Sequence, residues 1–321
     1  MYTYQAWQNL FPMAEAKKWP RVAVVGAGAV GGYFGGMLAR AGAPVIFIGR
    51  PKFADAVKQS GLQLDTLQFH ETLRVEAATE FRAARGAELV FFCVKTTDTE
   101  SAAKELAPFL SPQTLLLSLQ NGVDNAERIR AASGIEALSA AVYVAASVPE
   151  PGRVKHVGRG DLVIGPRCER TEMLATLFER AGVPCRISDN LEGELWLKLT
   201  MNCAANAISA LARVTYGEIV ANADARKLVE TVVHEVLAVA RAAGVRVPGM
   251  ENPEAGIATA LKLAQQMSRA TSSTAQDLAK GKRTEIDSLN GYIARRGEAL
   301  GVLVPVNHAL YTLVKLAEGR A

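Results

Sequence analysis

The chain has 321 residues, 49% of them apolar and 21% charged, and its 36 basic and 32 acidic side chains leave a formal charge of +4. Such a length suits two domains that each bury a core, and near-balanced charge without a long like-charge run argues against nucleic acid or an anionic membrane as partner. No apolar run reaches the ~18 residues of a membrane span, and four cysteines without CxxC spacing read as reduced, buried thiols of a cytoplasmic protein.

Residues 1–20 read as a leader with neither the apolar core of a signal peptide nor the arginine-rich character of a transit peptide, and Met13 stands beside Met1 as a candidate start. The next stretch, RVAVVGAGAVGGYFGG, organises the rest of the chain. A β-branched run from Val22 to Val25 meets Gly26-Ala27-Gly28-Ala29-Val30-Gly31, and helix-compatible sequence continues through Arg40. This is GxGxxG across a strand-to-helix junction. Gly26 would make the bend, Gly28 would let the backbone approach a pyrophosphate, and Gly31 would let the helix pack closely on the strand. The helix N-terminus would then meet the phosphates.

A second strand ends at Gly49-Arg50-Pro51. NAD-preferring folds carry a carboxylate about 20 positions past the glycines, whereas Arg50 stands here with no carboxylate within three residues. A guanidinium suits a 2′-phosphate, which favours NADP, the alternative being a plain turn arginine. Residues 57–80 read as short strands and turns. Glu88–Val94 reads as a buried strand that ends at Lys95, a second cation for the adenosine side or else a solvated loop lysine. A helix over about 98–109 leads to the strand Thr114–Leu119, whose tip carries Gln120-Asn121-Gly122. Asn121 offers donor and acceptor at the ligand edge of a parallel sheet, where it suits nicotinamide or substrate, unless it is an ordinary Asn-Gly turn.

A helix, apolar strands (Ala137–Ser147 and Leu162–Ile164), a helix over 171–181 and the strand Cys185–Ile187 come next. Beyond Asp189 nearly every periodic segment is helical. The fold class expected is therefore α/β, an N-terminal Rossmann-type dinucleotide-binding domain over 21–188 followed by an all-helical substrate and catalytic domain over 189–321. That helical half is large enough to carry a homodimer face.

In the helical half, residues 191–212 read as one long helix with Lys198, Asn202 and Asn206 at i, i+4 and i+8, a single drifting stripe among apolar neighbours. Asparagine is a mediocre helix former, so the stripe reads as facing a site, against the alternative of a solvated polar face. Helices over about 224–244 and 255–270 read as scaffold. The four histidines are scattered, which gives no metal cluster and no histidine triad. Thr271–Asp277 is a polar helix start, and Thr284 reads as the cap of another helix with Asp287 at its third position. Glu285 could there merely complement the helix dipole.

The segments VGAGAVGGYFGG, CVKT, LQNG, WLKLTMNCAANAISAL, SSTAQD and KRTEIDSLNGYI, in this order, resemble the ketopantoate reductase (2-dehydropantoate 2-reductase) family over about residues 21–318. The resemblance implies NADPH-dependent reduction of 2-dehydropantoate to pantoate, in pantothenate and coenzyme A biosynthesis. Matched motif by motif, it implies Lys198 and Glu285 as catalytic residues, with Lys198 the proton donor. It also implies Asn202, Asn206 and Ser273 on the substrate, and Asn121 on nicotinamide and substrate. Arg50 then falls on the 2′-phosphate and Lys95 on the adenosine side. This chain departs from the family in its leader and in Thr274, where a methionine often follows the paired serines. Two alternatives stay open: a paralogous reductase of another branched 2-oxo acid, or a non-enzymatic NADPH-sensing protein. A sensor would account for the glycines and Arg50 but not for Lys198, Asn202, Asn206 and Glu285 together.

Overall fold

The computed structural model describes residues 18–319, so the leader, but for its last three residues, lies outside them, and so do both candidate starts. The described chain forms two compact units. The first runs up to Gln120 and resumes over Asn125–Ile187, and the second takes Asn121–Asp124 and everything from Ser188 onward.

The first unit is built on a ten-stranded sheet. Its parallel part uses β1 (Val22–Val25), β2 (Val45–Ile48), β5 (Glu76–Ala78), β6 (Leu89–Phe92), β7 (Leu115–Ser118) and β8 (Ala137–Ser147), adjacent in the order β5-β2-β1-β6-β7-β8. With these six numbered in turn, the order is 3-2-1-4-5-6, that of doubly wound nucleotide-binding sheets. The register sets Val22 against both Val45 and Leu89. Strands β1, β2, β6 and β7 are buried along their whole length, which is why they read as unbroken apolar runs. Beyond β8 the sheet turns antiparallel to β9 (Arg153–Ile164) and continues to β3 (Leu62–Asp65) and β4 (His70–Leu73), while β10 (Cys185–Ile187) also pairs with β9. Phe34, Phe47, Phe91 and Phe178 fill the core beneath the sheet, and Phe91 stacks on Phe178 at 5.5 Å. Deleting any one of these rings would cost about 3–5 kcal/mol.

Three expectations need correction in this unit. Residues 51–60 form a helix where the end of a turn and the start of short strands were expected. Here α1 is Ala29–Arg40 and α2 is Pro51–Ser60. Pro51 sits at the first helical position, where its missing N–H costs nothing, and Phe53, Ala54 and Val57 make the buried face. The strand expected at Leu162–Ile164 is the end of the twelve-residue β9. Its Gly158 and Gly160 suggest a turn but lie opposite irregularities in β8. At Gly160 a Cβ would come within 2.3 Å of the Tyr33 hydroxyl. The four cysteines are unpaired, but only Cys203 is buried, Cys93 and Cys185 being half-buried and Cys168 exposed. It caps the helix Glu169–Arg180 (α5), whose Thr171 shares the turn. The remaining helices here are α3 (Thr99–Leu106) and α4 (Asn125–Ser133).

The second unit is all-helical among the described residues, with α6 (Leu191–Ala212), α7 (Tyr216–Ala221), α8 (Ala223–Ala242), α9 (Pro253–Gln266), α10 (Ser273–Ala279), α11 (Asn290–Leu300) and α12 (Pro305–Glu318). Helix α6 begins where Asn190 accepts a hydrogen bond from the Gly193 N–H (3.1 Å) and ends at Arg213, whose φ of +58° is left-handed. Its buried face, Trp196, Leu199, Cys203 and Ala207, packs in one cluster with Val229, Val232, Val233 and Val236 of α8, Ile293 of α11 and Val314 of α12. Short α7 was not expected. A reciprocal capping box between Thr215 and Glu218 starts it. The helix expected to open at Thr284 begins only at Asn290, because residues 286–288 form a single 3-10 turn first. Thr284 Oγ1 does accept from the Ile286 N–H, but its own proton goes to Glu318 of α12.

Candidate active site

In the first unit the glycine turn does what its sterics demand. Gly26 has φ +95°, and a Cβ there would lie 2.5 Å from both Cys93 C and Val94 N, so the bend and the closeness of the β6 exit exclude any side chain. At Gly31 a Cβ would meet the Gly26 carbonyl at 2.4 Å and Val24 at 2.8 Å, which is why the helix can lie so close on β1. Gly28 differs: a Cβ there would meet nothing within 4 Å. Gly28 is the N-cap of α1, whose first turn carries no acidic residue. Open space before a helix N-terminus with unsatisfied N–H groups and positive dipole fits the pyrophosphate of a dinucleotide. The residues present therefore suit such a cofactor.

Two cations flank this turn. Exposed Arg50 follows β2 as the N-cap residue of α2, and half-buried Lys95 follows β6. Strands β1 and β6 adjoin where the strand order reverses, the switch point at which open α/β sheets bind ligands. Two residues that the sequence did not single out hold the Lys95 turn. Buried Gln120 donates to Val94 O (3.0 Å) and to Thr99 Oγ1 (2.8 Å). Arg128 donates to Thr96 O (2.6 Å) and forks onto Glu100 (2.7 and 3.0 Å), and its hydrogen bond holds the Glu100 carboxyl below its ordinary range against the opposing effect of burial. The signal for Gln120 was a polar side chain on the end of an otherwise apolar strand.

In the second unit three sequence-distant side chains meet. Lys198 on α6 donates through Nζ to Asn121 Oδ1 at 2.8 Å, and Asn121 Nδ2 donates to Glu285 Oε2 at 2.8 Å. Donor and acceptor are thus both used on Asn121, which fixes its amide between a cation and a carboxylate. An ammonium held this way could act as an acid toward a reacting oxygen, with a carboxylate to balance its charge.

Glu285 is not in the first turn of an α-helix, and its side chain makes no cap hydrogen bond. It sits just before the 3-10 turn of residues 286–288, which α12 fastens from behind. Asp287 accepts from the Tyr311 hydroxyl (2.9 Å) and from Lys315 (3.0 Å). Glu318 accepts from the Thr284 N–H (2.7 Å) and hydroxyl (2.6 Å) and pairs with Lys315 at 2.8 Å. Burial alone would raise both carboxyls. The hydrogen bonds from Lys315, joined by Tyr311 for Asp287 and Thr284 for Glu318, outweigh it and hold both below the usual carboxylate range.

Asn202 is half-buried one turn along α6 from Lys198. Asn206 is not on a solvated face: it is 3% exposed and accepts at Oδ1 from the Tyr216 hydroxyl (2.9 Å). Ser273 is exposed at the first position of α10, beside buried Ser272, which donates to the Asn206 carbonyl (2.9 Å) and caps α10 through the Ala275 N–H (3.0 Å). Hydrogen bonds therefore join Lys198, Asn121 and Glu285 directly, while Asn202 and Asn206 lie on the same helix and Ser273 follows Ser272, which is bonded to it. Among the described residues no cluster of His, Cys, Asp and Glu could hold a metal ion, and no helix is long and apolar enough to cross a membrane.

Comparison with known proteins agrees with both halves. Residues 22–168 match the family described as ketopantoate reductase PanE/ApbA, and residues 190–318 match its C-terminal domain. The chain is 33% identical over 303 residues to a 2-dehydropantoate 2-reductase of Archaeoglobus fulgidus, covering 93% of this chain and 98% of that one. A solved PanE/ApbA family ketopantoate reductase from Ralstonia eutropha is 49% identical with a TM-score of 0.88, over 94% of this chain and 99% of that one. A D-mandelate dehydrogenase solved with NADH and anilino(oxo)acetate is 25% identical with a TM-score of 0.86, over 94% of this chain and 99% of that one.

Proposed function

The chain belongs to the ketopantoate reductase family, and from that premise we propose that it is a cytoplasmic enzyme that reduces 2-dehydropantoate to pantoate with NADPH, Lys198 donating the proton. The observation that carries the reading is the Lys198–Asn121–Glu285 cluster, since a lysine on a largely apolar helix is held by an amide that a carboxylate holds in turn. When bound, NADPH would supply the hydride for the 2-keto carbon. The backbone from Gly26 to Gly31 would hold its pyrophosphate, Arg50 the 2′-phosphate, Lys95 the adenosine side and Asn121 the nicotinamide side.

On the substrate, negative charge grows on the keto oxygen as the carbonyl carbon is reduced. The Lys198 ammonium would stabilise that charge and release a proton from Nζ to the oxygen, leaving a neutral amine to be reprotonated from solvent. Glu285, through Asn121, would favour the charged form of Lys198 before the reaction. Asn202, Asn206 and Ser273 would hold the carboxylate and hydroxyl of the substrate and so set which 2-oxo acid fits.

A second reading, a reductase of a different 2-oxo acid using NADH or NADPH, draws support from the likeness to the D-mandelate dehydrogenase bound to NADH. Steady-state rates with 2-dehydropantoate and other branched or aryl 2-oxo acids, each with NADPH and with NADH, separate the two. The expected result is the highest kcat/KM for 2-dehydropantoate with NADPH. Higher kcat/KM for another 2-oxo acid selects the second reading, and cofactor binding without turnover of any acid selects a sensor.

A further inference from the structure

Asn206 lies two turns along α6 from Lys198, on the same stripe, and its backbone is anchored. Its backbone carbonyl accepts from Ser272 Oγ (2.9 Å), and the Ser272 N–H in turn donates to Ser209 Oγ (3.2 Å). Tyr216 is anchored as firmly. Its N–H donates to Ala270 O (3.0 Å), and the next N–H, of Gly217, donates to Ser268 O (2.9 Å). A Cβ on Gly217 would come within 2.9 Å of that same oxygen, so α7 lies flush on the segment that leads to Ser273. With both backbones anchored, the half-turn of the Asn206 amide that exchanges its oxygen and nitrogen is the change that the Tyr216 contact opposes. The Tyr216 hydroxyl donates to Oδ1 (2.9 Å), and no partner of Nδ2 is found among the described residues. Burial pushes Tyr216 up to about 12, so the phenol keeps its donor proton through the neutral range.

We propose that Tyr216 is a positioning residue for substrate selection: by donating to Oδ1 it presents Nδ2 of Asn206 as a donor, so that this point of the α6 stripe recognises an acceptor oxygen, such as a carboxylate or keto oxygen, and discriminates against a group that can only donate. The inference deepens the proposed 2-oxo acid reductase activity and rests on it. Without the phenol, Oδ1 would be left buried and unsatisfied, and the amide would turn its oxygen toward the substrate. A bound acid would then have to reverse that preference, which lowers apparent affinity without touching the Lys198 proton transfer.

The test is a double-mutant cycle on Tyr216→Phe and Asn206→Ala, read as KM and kcat for the 2-oxo acid, with calorimetric affinity for that acid and melting curves alongside. Tyr216→Phe should raise KM about tenfold with kcat within about twofold, on the scale of one lost hydrogen bond to a charged group. In an Asn206→Ala background the same change should leave KM unaltered, because the tyrosine acts only through the amide. Asn206→Asp, which keeps the Tyr216 contact but cannot donate, should bind the acid more weakly than Asn206→Ala. This arm decides the matter if Tyr216→Phe does not fold. An unchanged KM in Tyr216→Phe, an equal rise in both backgrounds, or Asn206→Asp binding as well as Asn206→Ala overturns the assignment of Tyr216 alone. A well-folded wild type that neither reduces nor binds any 2-oxo acid overturns the proposed function, and this inference with it.

Discussion

The two units carry their candidate sites in opposite ways. The dinucleotide turn is made by the backbone of six consecutive residues, and what matters there is which atoms are missing: no Cβ fits at Gly26 or Gly31, and open space surrounds Gly28. The Lys198–Asn121–Glu285 cluster is made by side chains 77 and 164 residues apart, and what matters there is which atoms are present. A backbone site should therefore fail when atoms are added, and a side-chain site when atoms are removed.

The largest effect should come from the side-chain site. Lys198→Ala should lower kcat about a hundred- to a thousandfold, the scale of removing one donor from a developing oxyanion, while NADPH affinity stays near wild type. A variant with near-normal kcat on a verified substrate would return Lys198 to the scaffold and end the parallel with an oxyanion donor.

Added methyls sharpen the backbone side of the contrast. Gly26→Ala must place a side chain at φ +95° and 2.5 Å from main-chain atoms. It should destabilise the first unit by about 2–4 kcal/mol and abolish cofactor binding, seen as a lowered melting temperature and lost NADPH titration. Gly28→Ala meets no neighbour in the protein. Its melting temperature should stay within a degree or two while NADPH affinity falls at least about tenfold, because the methyl would occupy space needed by the pyrophosphate. If both substitutions moved stability and affinity alike, the turn would be structural only.

Arg50→Ala removes a side chain from the backbone site and tests whether charge also matters there. Affinity for NADPH should fall roughly ten- to a hundredfold, from the loss of charge-assisted hydrogen bonds, while affinity for NADH changes little. Equal changes for both cofactors would make Arg50 a turn residue.

The smallest effect concerns the support behind Glu285. Asp287 and Glu318 are held below the ordinary carboxylate range in the folded chain, so their contribution is complete above the unfolded pKa and is lost as pH falls through the lowered folded values. Lys315 is raised, since its hydrogen bonds to Glu318 and Asp287 outweigh a desolvation penalty that acts the other way. Its contribution holds at neutral pH and fades only as pH climbs past that raised value. Glu318→Gln should cost about 1 kcal/mol at neutral pH, the groups being partly exposed, or ~2–4 °C in melting temperature. The gap between variant and wild type should close on acidification below about pH 4, within the range of ordinary carboxylate titration. A gap independent of pH would assign the loss to packing instead of charge.

Local sequence carried a good deal of this protein. Val22–Gly31 reads as strand, turn and helix start because its sterics involve neighbours in sequence, and α6 reads from Leu191 to Ala212 because its period and its Asn190 cap are local. Strands β1, β2, β6 and β7 read as apolar runs because each is buried on both faces. Elsewhere the local pattern misled. Gly158 and Gly160 break the apolar pattern, yet both lie within β9, where an irregular pairing with β8 takes them in and Gly160, at φ +134°, leaves room for Tyr33. Thr284 looked like a cap, yet Glu318 takes its proton and the helix waits until Asn290. Asn206 looked like the open end of a polar stripe, and its tie to Tyr216 lies across a loop that no periodicity reports.

Sequence by itself thus determined many of the elements and the residue types that could carry the chemistry, because helix period, strand burial and glycine sterics act over a few residues. Tertiary structure alone decided that Asn121 stands between Lys198 and Glu285, that α12 fastens the turn behind Glu285, and which end of the Asn206 amide is spoken for. A hydrogen bond has a reach of about 3 Å and no memory of chain distance. Only the packing of the helical core against α6 could bring those partners within it.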